Sequence, residues 1–298
     1  MPNKEKLKNS KAIMFIYNIC RKGLTRVSPA ITSKLNYYTT FGKKLDLKNP
    51  EGFNEKLMYI RIKNYDKNEL VWKCADKYLL REYAYSCGLT EENFPKLYGV
   101  YKKAEDVDFS KFPERFVIKC SHGCGFNYIC TNKSKINEEE VRKQLSKWQK
   151  ENFGLISAEV QYLHSPKYIY CEEYIENNKN EFPMDYKVYC FNGEAKIILV
   201  CSEREKKTRL NFYDLNWHDL DIGKEEFKSY KKVEKPQNLN EMLELSKRLS
   251  KPFPFVRIDF YEFNNKVILG EMTFTPAANC AQYYTEEGNK ILGKMLKI

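Results

Sequence analysis

The pattern of apolar residues predicts an α+β chain: a helical amino-terminal region, then two groups of mainly antiparallel strands. Three observations carry this. Apolar side chains recur at helical spacing from residue 50 to Cys87, short β-rich runs follow beyond Pro95, and two of those runs are joined by Asn192-Gly193, a dipeptide suited to a type I′ hairpin. Hydrophobic residues make up 42% of the 298 residues and aromatics 14%, with only 13 Gly and 11 Pro, which excludes collagen and low-complexity disorder.

Residues 1–50 carry eleven Lys or Arg against Glu5 and Asp46, so nine of the eleven net positive charges precede the body. The remainder is nearly neutral and holds no helix-turn-helix, zinc-finger or RNP signature, so no nucleic-acid partner is expected. Within this arm the stretch 12–20 is apolar but too short to span a bilayer. It has no small-residue cleavage site either. Two readings stand: a helix docked on the core, or an interfacial helix dipping Ile13, Phe15, Ile16 and Ile19 into anionic lipid. The second gives a cytoplasmic protein peripheral at the inner membrane face.

Leu57, Met58, Ile60 and Ile62 begin the first helix of the body, and Ala75 to Cys87 repeats the spacing until Gly88 stops it. Strands are predicted at 116–120, 128–131, 168–175, 185–191, 195–201, 255–260 and 266–273. Helices interrupt them at 137–151 and 239–250. The expected division is a basic arm 1–50, a helical subdomain 51–112, a small strand subdomain 113–175 and a carboxy-terminal subdomain 176–298. The ten cysteines form no CxxC pair and lie mostly in apolar runs, which suits reduced, buried thiols. Cys120, His122, Cys124 and Cys130 are zinc-ligand types, but their spacing is unlike the usual knuckles.

Three segments bear on chemistry. Phe116-Val-Ile-Lys119 is an apolar strand ending in a lysine before the loop Cys-Ser-His-Gly-Cys-Gly125. Backbone N–H groups plus one ammonium make a phosphate cradle, although the pattern is not a Walker A loop and also suits an ordinary hairpin turn. Cys171-Glu-Glu-Tyr-Ile175 ends a second apolar strand in carboxylates. Asp185-Tyr-Lys187 places an acid and a base on one face, where the two can pair with each other.

The most informative segment joins Phe255-Val-Arg-Ile-Asp259-Phe-Tyr261 to Val267-Ile-Leu-Gly-Glu271-Met-Thr273. Period two puts Arg257, Asp259 and Tyr261 on one face, and Val267, Leu269, Glu271 and Thr273 on one face of the next strand. A loop centred on Asn265 sets Asp259 opposite Glu271. Like charges there repel, so something positive should lie between them: the Arg257 guanidinium or a divalent cation.

In order and spacing, FNEKL at 53–57, ADKYLLREY at 75–83, FVIKCSHGCG at 116–125, YCEEYI at 170–175, DYKVYCFNG at 185–193, FVRIDFY at 255–261 and GEMTFTP at 270–276 resemble the TupA-like, polysaccharide-biosynthesis branch of the ATP-grasp superfamily over roughly residues 50–295. The resemblance implies an ATP-grasp fold in which two antiparallel-sheet subdomains clasp ATP. It implies that Lys119 and Lys187 contact phosphate and that Ser121, His122, Gly123 and Gly125 belong to a lid over it. Glu172, Glu173, Tyr174 and Ile175 would form the adenine hinge, with Glu181 a ribose partner. Asp259 and Glu271 would hold Mg2+. Thr273 stands where the superfamily commonly has Asn, and Lys77 is shared between a site role and scaffold. The implied catalytic set is Lys119, Arg257 and Lys187. The implied reaction is ATP-dependent amide formation between an amino acid or amine and a uronic-acid glycan. A sugar or glycan kinase and a non-catalytic glycan- or membrane-binding protein are its rivals.

Overall fold

A computed structural model describes residues 11–176, 183–203, 208–231 and 233–298, with side chains from Tyr17 onward. Two helices open it, α1 (Lys11–Val27) and α2 (Pro29–Phe41), meeting at Ser28. Ser28 caps α2 by accepting from the Ile31 N–H, and Pro29 occupies the first helical position, where its missing N–H costs nothing. In the body, α3 (Phe53–Lys63) is followed by α4 (Glu69–Ala75) and α5 (Leu80–Ser86). The helix expected over 75–87 therefore starts later. Asp76 leaves the helical region (φ −77°, ψ 121°) and its carboxylate accepts from the Tyr78 and Leu79 N–H groups, both at 2.9 Å. That short polar cap competes with helix continuation.

The first sheet has the order β1 (Leu97–Tyr101), β4 (Ile169–Glu173), β2 (Phe116–Cys120), β3 (Asn127–Cys130), all neighbours antiparallel. Its β1 comes from within the stretch 51–112 and was not anticipated, because Leu97-Tyr-Gly-Val-Tyr101 does not alternate cleanly in burial. Helix α6 (Glu138–Lys150) covers this sheet through Val141 and Leu145, and the short α7 (Phe153–Ser157) follows. The second sheet runs β7 (Arg209–Tyr213), β6 (Glu194–Ser202), β5 (Asp185–Phe191), β8 (Phe255–Phe263), β9 (Lys266–Thr273), again antiparallel. Helices α8 (Leu239–Ser250) and α9 (Glu286–Met295) complete it. One large core unites this sheet with Phe53, Leu57, Leu80 and Ala84, and a separate core lies under the first sheet. The fold is the α+β ATP-grasp arrangement, two antiparallel sheets with a helical amino-terminal region.

Two hairpin turns of the second sheet use positive φ. Asn192 and Gly193 (52° and 83°) join β5 to β6, as expected of a type I′ turn, and Asn264 and Asn265 (49° and 58°) join β8 to β9. The second turn is a two-residue link with Phe263 opposite Lys266, not a loop centred on Asn265. Asp259 still faces Glu271, because a bulge at Gly270 restores the register. The same bulge corrects the expected shared face: Val267 and Leu269 pair with Glu262 and Phe260, whereas Glu271 and Thr273 pair with Asp259 and Arg257.

A Cβ on Gly270 would lie 2.8 Å from the Tyr261 ring and 3.2 Å from the Asp259 carbonyl oxygen. Gly270→Ala should therefore destabilise the fold by about 1–3 kcal/mol through overpacking at the bulge, read as a lower urea midpoint with unchanged m. An unchanged midpoint would show that the bulge accepts a side chain.

Candidate active site

The facing ends of the two sheets enclose a cleft of about 240 Å³, lined by Lys119, Glu173, Tyr174 and Ile175 from the first sheet and by Tyr261 and Leu269 from the second, with Lys77 and Arg81 between them. Lys119 sits at the end of β2, opposite Tyr170 of β4. Its ammonium pairs with the Glu172 carboxylate, which is buried and also lies 3.4 Å from Arg81. Glu172 and Glu173 both lie within β4, and the Glu173 N–H bonds the Lys96 carbonyl at 2.9 Å, so the segment beyond the strand end at the cleft starts at Tyr174 and continues through Ile175. Arg115, paired with Glu176 and 4.6 Å from the Tyr174 ring centroid, braces that segment from behind. Glu181 lies outside the described residues.

The loop after β2 is tied at its base. Ser121 donates to Asp76 (2.6 Å), Lys77 N–H bonds the Ser121 carbonyl (3.0 Å), and Ser121 N–H bonds the Tyr168 carbonyl (2.8 Å). His122 is buried with Nε2 at 3.1 Å and 3.2 Å from the carbonyls of Trp148 and Glu151. Burial and, after it, Lys167 lower its pKa, which keeps the ring neutral. Gly123 is buried at φ 77°, and only Cys124 and Gly125 at the tip are exposed. Ser121 and His122 thus anchor the loop from beneath, and the tip backbone is what reaches outward. Among the described residues no cluster of three or more His, Cys, Asp or Glu side chains is arranged to hold a metal. Cys120 and Cys130 are buried in the core of the first sheet, away from a zinc-like grouping with exposed Cys124.

On the second sheet Asp259 is the centre of a charge network. Arg257 donates to both of its oxygens (2.7 and 2.6 Å), and Lys187, opposite it on β5, pairs with the same carboxylate and with Asp185 at 2.6 Å. Lys187 thus pairs with Asp185 as expected, and with Asp259 besides. Arg257 also reaches Glu271 at 3.2 Å and Thr273 Oγ1 at 3.0 Å, while the Thr273 hydroxyl donates to Glu271 at 3.0 Å. In this state the positive group between the opposed carboxylates is the guanidinium. The two acids differ in access: the Asp259 side chain is 2% exposed and that of Glu271 34%. Burial pushes Asp259 up to about 6 despite Arg257 and Lys187. Burial alone would raise Glu271 too, but Lys77, then Arg257 and Lys187, hold it well below the ordinary carboxylate range. Glu271 is thus an anion beside Lys77 at the edge of the cleft.

Lys77 links the halves. Its Nζ donates to the Gly123 carbonyl at 2.6 Å and lies 3.5 Å from Glu271. The sequence signal for it was the ADKYLLREY stretch, whose significance rests on the Asp76 turn that points the lysine away from its helix. Arg81, from the same stretch, was missed: it reads as one more polar residue of an amphipathic helix, yet it lies buried against Glu172, with its guanidinium 4.5 Å from the Phe94 ring centroid.

Two antiparallel sheets meeting at a cleft lined by Lys119 and Lys77, with opposed carboxylates on the hairpin beside it, are the arrangement of the ATP-grasp class. The family profile described as TupA-like ATPgrasp matches residues 55–297. The chain belongs to that family. A search of curated protein sequences returns no match. Among solved structures, D-alanine–D-alanine ligase from Bacillus anthracis aligns at TM-score 0.47 and 16% identity over 75% of this chain and 66% of that one. The corresponding ligase from Helicobacter pylori aligns at TM-score 0.39 and 18% identity over 76% and 62%. The ATP-grasp ligase PsnB, complexed with a phosphomimetic variant of its minimal precursor, Mg and ADP, aligns at TM-score 0.42 and 12% identity over 82% and 65%. The chain spans just under two thirds of the length of these proteins.

Arg81 and Glu172 are both buried, with side chains 7% and 6% exposed. Glu172→Leu should cost about 3 kcal/mol of stability, because it removes the buried partner of a buried guanidinium and leaves Arg81 only the exposed Glu91 carboxylate 3.7 Å away. Chemical denaturation reads this directly, and a loss under about 1 kcal/mol would place the neutralising charge for Arg81 elsewhere.

Proposed function

We propose that the chain is an enzyme, an ATP-dependent carboxylate–amine ligase that joins an amino acid or amine to a uronic-acid-containing surface glycan or its precursor. The observation that carries the ligase reading is that Lys119 and Lys77 line one cleft while Glu271, next to Gly270 of the cleft wall, lies 3.5 Å from Lys77 and directly opposite Asp259. Membership of the TupA-like family supports the ATP chemistry, and the motif resemblance supports the glycan acceptor.

In this reading the nucleotide base lies along Glu173, Tyr174 and Ile175, pairing with backbone groups of Tyr174 and Ile175, which lie beyond the strand end. Lys119 and Lys77 meet the phosphates, with exposed Gly125 at the loop tip closing over them. The donor set fits a hard cation: two carboxylates facing each other and a hydroxyl, the number of protein oxygens that Mg2+ uses when nucleotide phosphates supply the rest. Bound there, Mg2+ would supply charge neutralisation to the nucleotide phosphates. Asp259 would hold it through oxygens that Arg257 and Lys187 now cover, so those cations must turn outward, and the outward position suits them to the transferring phosphoryl group.

A substrate carboxylate oxygen attacks the γ-phosphorus as the bond to ADP breaks. The amine then attacks the acyl carbon, phosphate leaves with the C–O electron pair, and the amine loses a proton. Such chemistry rests on positioning and charge stabilisation and needs no side-chain nucleophile.

Supplying ATP, Mg2+, a panel of amino acids and a panel of uronic acids should release ADP and inorganic phosphate together with an amide product. ADP with a stable phospho-product and no free phosphate would replace the ligase by a kinase. Asp259→Asn and Glu271→Gln should each fold and lose turnover on the order of 100-fold or more. EDTA should remove the activity and Mg2+ restore it. Activity within about threefold of wild type in both variants would sink the metal assignment. Lys119→Ala should weaken nucleotide binding in calorimetric titration, and Lys119→Arg should rescue it poorly, since a planar fork replaces a compact point charge.

A further inference from the structure

Helix α2 is packed inside out. Its inward face is polar, with Thr32, Ser33, Asn36 and Tyr37 all buried. Its outward face carries Ile31, Leu35 and Tyr38, exposed by 51%, 37% and 55%. Those three lie at i, i+4 and i+7, one stripe along the helix, and Val27 (82% exposed) extends the stripe across the Ser28 elbow.

Specific bonds hold the polar side inward. Ser33 accepts from the fully buried Arg61, Thr25 of α1 donates to the Leu155 carbonyl at 2.7 Å, and Tyr37 donates to Glu55 at 3.1 Å. Rotating α2 to bury its apolar stripe would break the Arg61–Ser33 and Tyr37–Glu55 bonds and leave Arg61 only the Asp66 carboxylate 3.9 Å away. The outward apolar stripe is thus imposed by the body, and a contiguous exposed patch of this kind marks an interaction surface.

Its rim is basic. From residue 17 to 50 the chain carries seven Lys or Arg and one acid, Asp46, with Arg26, Lys34 and Lys44 exposed around the stripe. A second copy of the chain would bring like charge against like. An anionic bilayer supplies both an apolar layer and the opposite charge. Among the described residues no helix is long and apolar enough to cross a membrane, which suits a helix lying in the interface plane.

We propose that the outward face of α2, with Val27 at its start, is an interfacial docking surface for anionic phospholipid. This relocates the expected contact: of the side chains first considered for it, Ile19 is exposed, while Ile13, Phe15 and Ile16 lie outside the described side chains.

Sedimentation of the whole chain with phosphatidylcholine vesicles, with and without phosphatidylglycerol, tests the proposal. Binding should require phosphatidylglycerol and fall with salt, and each engaged cation should strengthen it about fivefold. Ile31→Glu/Leu35→Glu should abolish sedimentation while circular dichroism, thermal midpoint and ATP turnover stay as in wild type, since both side chains point away from the core. Lys34→Glu should weaken binding and Lys34→Arg should not. Failure of the wild-type chain to bind phosphatidylglycerol vesicles at low salt would overturn the proposal. So would unchanged binding by the double variant, or a wild-type dimer in sedimentation equilibrium that the double variant dissociates.

Discussion

Two carboxylates face each other across the β8–β9 hairpin, and much of the site follows from neutralising them. Asp259 and Glu271 stand in register on strands whose other faces are buried core. Bare, they would repel in a low-dielectric setting. The protein answers with three cations from three elements: Arg257 along the same strand, Lys187 from the neighbouring strand and Lys77 from the turn between α4 and α5. Because Lys77 also holds the Gly123 carbonyl, the loop of the first sheet is bonded to the charge network of the second.

That coupling has a chemical consequence. Occupancy of the cleft by phosphates and a divalent cation would compete for the same lysines and carboxylates that now hold the two sheets together. The Asp259 carboxylate has its oxygens covered by Arg257 and Lys187, and only Glu271 is partly open. Under the proposed function Glu271 would be the acid open to a cation, and Asp259 would become available only where Arg257 and Lys187 release it.

The amino-terminal helices obey a related constraint. Arg61 is fully buried, and burial lowers its pKa, against which Asp66 and Glu159 act. Its hydrogen-bond partner Ser33 comes from α2. A buried guanidinium demands polar company, and Ser33 of α2 supplies part of it, while Thr32, Asn36 and Tyr37 of the same face bond Thr25, Arg21 and Glu55. The outward placing of Ile31, Leu35 and Tyr38 is thus decided by polar partners on other helices.

The strands and their turns were legible from local chemistry, since alternation and Asn192-Gly193 act within a few residues of themselves. The opposition of Asp259 and Glu271 was legible too, though for an incomplete reason: the arithmetic needed a two-residue turn plus a bulge at Gly270, and an isolated glycine in a strand does not announce which face it shifts. Lys119 and the acids were visible as charged residues ending apolar runs. Arg81 was not, because an arginine on an amphipathic helix looks the same whether it meets water or a buried Glu172 ninety-one residues away. Strand β1 and the inverted packing of α2 were likewise beyond reach. Period and propensity report on one element at a time, whereas the partner that satisfies a buried charge or a strand edge comes from a distant part of the chain and is chosen only when the elements pack.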